Sequence, residues 1–157
     1  MIPKIIHYVW LGNALLPEDM QKCMDSWKKW MPEYQLMRWD DEAIRDIDSV
    51  FVREALLEKK WAFASDVIRL YAIHKYGGIY MDTDVMVYRS FDPLLQNKAF
   101  IGRENSMHQI GKTMEVYLTT CCLVQSQVIL LSRDVLIIMK GVILLRLKIG
   151  NFRQIYV

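Results

Sequence analysis

Two aspartates one residue apart, Asp82 and Asp84, interrupt a β-branched and aromatic run, Ile79 to Tyr88, in which charges are out of place. On a strand, positions i and i+2 leave the same face with Cα atoms roughly 6.5–7 Å apart. Carboxylates so placed hold one divalent ion, directly or through water, with phosphate oxygens completing its shell. A hard cation between them grips a diphosphate and stabilises the charge that builds as the diphosphate departs. The competing reading is a solvated turn carrying two acids. The apolar flanks and the preceding Gly77-Gly78 weigh against it.

Asp66 and Arg69 stand three apart in a helical pattern and so share a face. Two readings stay open for them. One is a helical ion pair of little energetic weight. The other is a clamp, Asp66 accepting sugar hydroxyls while Arg69 forks onto phosphate or sugar oxygens. Trp10, at the end of an apolar run, is either core or a stacking platform for a nucleobase. His7 and His74 lie within apolar patterns and are expected to be satisfied interior histidines without a role; His108 is unassigned. Cys23, Cys121 and Cys122 make neither a disulfide framework nor a CxxC metal knuckle, and read as small apolar filler.

The elements that must position these residues follow from periodicity. Lys4 to Trp10 reads as a strand, turned by Gly12-Asn13. Pro17-Glu18 opens a helix whose Met20, Cys23, Met24, Trp27 and Trp30 fall on one face, and Pro32 ends it. Tyr34 to Trp39 alternates as a second strand, and Asp40-Asp41 offers an N-cap to a short helix, Glu42 to Ile47. Phe51 to Lys60 is a further amphipathic helix. From Trp61 to Tyr76 the residues Ala64, Val67, Ile68, Tyr71 and Ala72 recur at helical steps, and Gly77-Gly78 stands where a left-handed cap belongs. Ile79 to Tyr88 is the strand carrying the two acids, Asp92-Pro93 breaks the chain, and Ala99 to Gly102 is a last strand. Alternating strands and helices imply an α/β domain with a mainly parallel sheet flanked by helices. Such sheets bind ligands beyond the carboxyl ends of their strands, where Trp10 and the Asp82–Asp84 pair both fall.

With 157 residues, 53% apolar and 24% charged, the chain is one domain of ordinary globular composition. Its net charge of +2 selects no partner. Residues 114–157 carry five basic and two acidic side chains, too slight an excess for a nucleic-acid surface, so no nucleic acid is expected. MIPKIIHYVWLG reads as a first strand and not a signal peptide, which sets a cytoplasmic expectation, including the inner face of a membrane. Val128 to Ile149 is apolar but cut by Arg133, Asp134, Lys140, Arg146 and Lys148, short of the roughly 18–20 uninterrupted residues of a spanning helix. A basic interfacial or core helix and a tail that does not pack natively remain equal readings of it.

Taken together, IPKIIHYVWLG, SWKKWMPEYQLMRWD and ASDVIRLYAIHKYGGIYMDTDV resemble the glycosyltransferase family whose sugar-binding region contains a DxD motif. That group includes yeast initiating mannosyltransferases, bacterial capsular and oligosaccharide transferases and the glucosylating domains of large clostridial toxins. The resemblance runs from Ile2 to about Asn105, dividing the chain into a donor-binding region, 1–105, and an atypical tail, 106–157, truncated or frame-shifted relative to the family. It implies a GT-A-like nucleotide-diphospho-sugar transferase fold, incomplete at the C-terminus. It also implies a retaining, Mn²⁺- or Mg²⁺-dependent transfer of a hexose from UDP-hexose or GDP-mannose to a saccharide or lipid-linked glycan acceptor. Polysaccharide, capsule or oligosaccharide biosynthesis is the expected setting, with peripheral membrane association. By position, Trp10 would stack on the donor base, Asp66 and Arg69 would hold the sugar with Tyr80 beside them, Asp82 would approach ribose and metal, and Asp84 would ligate the metal. Two other readings stand beside this one. One is a non-catalytic remnant that binds nucleotide at most. The other is a DxD phosphotransferase, which normally wants Gly-Thr after its second Asp, where this chain has Val85-Met86.

Overall fold

The computed structural model describes residues 1–12, 14–110 and 113–125, with side chains through Phe100 apart from Asn13. Val128 to Ile149 and Asn13 therefore lie outside the described residues, as do the side chains of His108, Cys121 and Cys122. Five strands and three helices alternate: β1 Ile5–Val9, α1 Glu18–Trp30, β2 Gln35–Trp39, α2 Val50–Leu57, α3 Trp61–Tyr76, β3 Gly78–Met81, β4 Ala99–Ile110 and β5 Thr113–Gln125. A short 3₁₀ turn, Asp92–Leu94, stands where Asp92-Pro93 breaks the chain. The sheet order is β2-β1-β3-β5-β4. β1 runs parallel to both β2 and β3, while β5 joins β3 and β4 antiparallel. A parallel three-stranded heart thus carries an antiparallel hairpin on one flank, its β4–β5 register shifting between Ile101 and Gly102 and again between Arg103 and Met107.

Both sheet faces are covered. On one, α1 contributes Met24 and Trp27 to a core with Ile6, Tyr8, Ile79, Met81, Phe91 and Phe100. On the other, α2 and α3 contribute Val52, Ala55, Ala64, Ile68 and Ala72 around Trp39 and Leu11. β3, buried along its whole length, has the unbroken apolar character of a strand covered on both sides.

Two glycines set the passage from α3 into β3. Gly77 (φ 66°) and Gly78 (φ 92°) occupy a region that side chains seldom enter. A Cβ on Gly78 would also lie 2.7 Å from the Ile5 carbonyl oxygen, so the missing side chain is what lets β1 approach.

Four expectations are corrected. β3 ends at Met81, not Tyr88, because its parallel partner pairs with it only at Ile6↔Ile79 and His7↔Tyr80. Glu42–Ile47 is a run of turns and not a helix. Asp40 does cap it, its Oδ1 accepting from the Glu42 and Ala43 amides at 3.2 and 3.0 Å. The hydrogen bonds that follow span mostly three residues, and so short a segment does not sustain a helix. His74 is exposed, since at 100° per residue it sits roughly opposite the stripe of Ala64, Ile68 and Ala72. Trp30 is 41% exposed at the end of α1, with the Lys29 ammonium 5.4 Å from its ring centroid. His7, by contrast, is wholly buried.

Candidate functional site

Because β1 and β3 are parallel neighbours, their carboxyl ends open on one edge. Trp10 follows the last residue of β1 and Asp82 the last residue of β3. A cavity of about 390 Å³ lies there, lined by Trp10, Ser65, Tyr80, Asp82, Thr83 and Asp84 among others. The aspartates sit in a turn closed by the Val85 amide donating to the Asp82 carbonyl at 3.1 Å, so the strand spacing expected for them does not apply. Both nevertheless line the cavity, as does Thr83 between them, with Asp82 half-buried, Thr83 buried and Asp84 exposed. Trp10 is half-buried, its Nε1 donating to the Ala14 carbonyl at 2.9 Å. It also lines a second cavity of about 710 Å³, with Gly12, Arg38, Asp40 and Asp41.

Asp66 and Arg69 of α3 do not line this cavity but join its wall through Asp82 and Tyr80. Arg69, only 7% exposed, places Nη2 3.1 Å from Asp66 Oδ1 and 3.5 Å from Asp82 Oδ1, joining helix and turn. Its guanidinium carbon lies 4.7 Å from the Tyr80 ring centroid, a cation–π stack. The Tyr80 hydroxyl donates to the same Asp82 oxygen at 2.8 Å. One arginine therefore draws together Asp66, Tyr80 and Asp82, which sequence spacing could only list separately. Burial holds the Tyr80 phenol well above its ordinary range. Burial also raises the Asp66 carboxyl, with Arg69 opposing and Asp82 adding to the shift.

Sequence spacing did not single out Ser65, which lies on the cavity wall. Its carbonyl and hydroxyl accept from Arg69 Nε and Nη2, each at 3.5 Å. The available signal was its place four residues before Arg69 on one helical face.

The donor set suits a hard divalent cation in part. Two carboxylates share a cavity, but among the described residues no group of three or more His, Cys, Asp or Glu side chains converges. A cation held here would take its remaining oxygens from substrate phosphate or water.

A family model described as the glycosyltransferase sugar-binding region containing the DXD motif matches residues 17–101. The chain belongs to this glycosyltransferase family. Inositol phosphoceramide mannosyltransferase 3 of Schizosaccharomyces pombe is 35% identical over 106 residues, 65% of this chain and 30% of that protein. Mannosyl phosphorylinositol ceramide synthase CSH1 of Saccharomyces cerevisiae is 34% identical over 116 residues, 64% of this chain and 28% of that protein. The chain thus spans less than a third of the length of these curated relatives. Among solved structures, the PaToxG glycosyltransferase superposes with a TM-score of 0.59 at 21% identity, covering 80% of this chain and 56% of that one. The likeness shows a GT-A-like fold.

Proposed function

We propose that the chain binds a nucleotide-diphospho-sugar through a divalent cation, Mn²⁺ or Mg²⁺, and transfers the hexose with retention of configuration. The observation that carries this reading is the shared cavity. Trp10, Tyr80, Asp82 and Asp84 line it together, and Arg69, behind the lining, is tied to it through Asp82 and Tyr80. In this reading the Trp10 indole stacks on the donor base, Asp66 and Arg69 hold the sugar, and Tyr80 packs beside it. Asp82 meets ribose and metal, and Asp84 ligates the metal. A cation bound there stabilises the negative charge of the departing diphosphate. Arg69 holds Asp82 Oδ1, which leaves the turn one carboxylate fixed in direction and one exposed.

The donor is UDP-hexose or GDP-mannose. The names of the relatives favour GDP-mannose and an acceptor bearing inositol phosphate on a lipid over a capsular or other polysaccharide. Location in the cytoplasm, at the inner face of a membrane, belongs to the same proposal. Among the described residues no helix is long and apolar enough to cross a membrane. The α2–α3 elbow, however, exposes Leu57, Trp61 and Phe63 around Lys59 and Lys60, a mixture suited to an anionic interface. Sedimentation with phosphatidylserine vesicles, weakened in Trp61→Ala/Phe63→Ala, tests that part.

Calorimetric titration with UDP and GDP, with and without Mn²⁺, tests the site. Binding that needs Mn²⁺ and is lost in Asp84→Ala is expected. Nucleotide binding indifferent to both would remove the metal bridge. Binding without transfer would favour a donor-binding remnant.

A further inference from the structure

The turn and loop that carry the two aspartates, residues 82–91, leave the sheet at Met81 and have no strand beside them among the described residues. Backbone groups that lose a ladder must find partners elsewhere. Here the partners are side chains of one helix. Trp27 Nε1 donates to the Val85 carbonyl at 2.7 Å, and the Val87 amide donates to Ser26 Oγ at 2.9 Å. Cys23 Sγ donates to the Asp84 carbonyl at 3.4 Å, and Thr83 Oγ1 donates to Met20 Sδ at 3.4 Å. Ser26 Oγ in turn donates to the Cys23 carbonyl at 2.5 Å, which fixes its lone pairs toward the loop. Met20, Cys23 and Trp27 recur at helical steps of three and four, with Ser26 adjoining, so one face of α1 meets the loop at Thr83, Asp84, Val85 and Val87.

That face is more than apolar packing. Trp27 is fully buried, yet its single polar atom is spent on the carbonyl next to Asp84. Among the described residues the exposed Asp84 carboxylate makes no ion pair with α1 or α3, whereas Asp82 is tied to α3 through Arg69. The backbone at Asp84 is therefore held by α1 and the Asp82 carboxylate by α3, helices on opposite faces of the sheet.

We infer that α1, through Trp27 and Ser26, is the positioning element for Asp84, and that it sets the distance between the two carboxylates and hence the affinity for a divalent cation. Trp27 and Ser26 act through the loop backbone and touch no ligand. The inference rests on the donor-site reading above. It gives α1 a role in metal affinity beyond its part in the core, by the logic that groups behind a metal's ligands tune its binding.

Trp27→Phe keeps a buried ring and removes only the N–H. Expected is a loss of about tenfold in Mn²⁺ affinity, measured by calorimetry and Mn²⁺ electron paramagnetic resonance in the presence of saturating GDP or UDP. Ser26→Ala should lose about threefold, the value of one hydrogen bond, and Ser26→Thr should restore it. Amide exchange at Val87 should quicken in Ser26→Ala whether or not metal is present. The reference is Trp39→Phe, which removes a comparable buried N–H, the donor to His7 Nδ1 at 3.1 Å, in the other core. It should leave Mn²⁺ affinity unchanged. Should Trp27→Phe not fold, Ser26→Ala and its threonine rescue decide alone. Equal losses in the α1 variants and in Trp39→Phe, with wild-type binding intact, overturn the inference alone. A wild-type chain that binds no Mn²⁺ with either nucleotide overturns the donor-site reading and the inference with it.

Discussion

His7 and Arg69 are both basic side chains removed from water, and the fold treats them in opposite ways. His7, in the middle of β1, is held neutral. Its Nε2 donates to the Gly77 carbonyl at 2.8 Å while its Nδ1 accepts from Trp39, and burial lowers its pKa. Arg69 cannot give up its proton, and the fold surrounds it with two carboxylates and a phenol ring. The interior half of the β1–β3 seam is thus neutral and internally satisfied. The rim keeps formal charges beside a cavity. Holding charge at an opening costs stability that a purely structural seam would not spend, which is why the rim reads as the site.

The interior half breaks most sharply at Gly78. Alanine there must adopt a φ near 92°, and its Cβ would meet the Ile5 carbonyl at 2.7 Å and His7 Nε2 at 3.3 Å. Strain of that kind, together with forced separation of β1 and β3, should lower stability by about 3–4 kcal/mol in urea unfolding. A loss under about 1 kcal/mol would show that the seam tolerates a gap and that its tightness does not place the rim.

Much of this was readable without coordinates, and the failures share one cause. α3 runs from Trp61 to Tyr76 as its periodicity predicts, because a local pattern and a local glycine stop define it. Trp10 and the aspartates meet because strand ends converge in parallel sheets, a rule that needs only strand order. The length of β3 was misread because a ladder depends on how far β1 runs, some 70 residues earlier in the chain. Alternation past Met81 was genuine; it reports which residues face α1 and not which pair with a strand. The Arg69–Asp82 contact links a helix to a turn, and no sequence interval encodes it. In α1, apolar spacing was legible while the polar atoms of Ser26 and Trp27 were not, since a tryptophan in a core stripe looks the same with its N–H idle or engaged. β5, inserted between β3 and β4, had no reading in advance.

Arg69→Met tests the rim by taking away its charge and keeping its bulk. Removing one partner from a fully buried ion pair strands the other at roughly 3–5 kcal/mol. The Asp66 and Asp82 side chains keep 30% and 34% exposure, so screening should bring the loss to about 2 kcal/mol. Nucleotide binding should fail in the same variant. Arg69→Lys should recover part of the stability but not the binding, because an ammonium has neither the planar fork nor the stack on Tyr80. Full recovery of binding by lysine would reduce the rim to a simple positive charge.

The smallest expected effect separates the two regions by pH. His7 has its pKa lowered by burial, so the unfolded chain takes a proton before the folded chain does. Its contribution is fully present above the ordinary histidine value of 6.5 and is lost as pH falls toward the lowered folded value. Asp66, raised by burial, behaves in reverse: its contribution grows on acidification, in the window above the ordinary carboxylate value of 3.8. Wild-type stability should therefore fall between about pH 7 and about pH 5.5 with a slope no steeper than about 1.4 kcal/mol per pH unit, the limit for one proton. His7→Gln will shift the level of stability through its changed hydrogen bonds, so the slope is the quantity to read. It should flatten in His7→Gln, while in Asp66→Asn the opposing gain on further acidification toward 3.8 should be absent. A slope unchanged by His7→Gln would mean that the histidine takes its proton within the folded chain, and the contrast between a neutral seam and a charged rim would fail at its first residue.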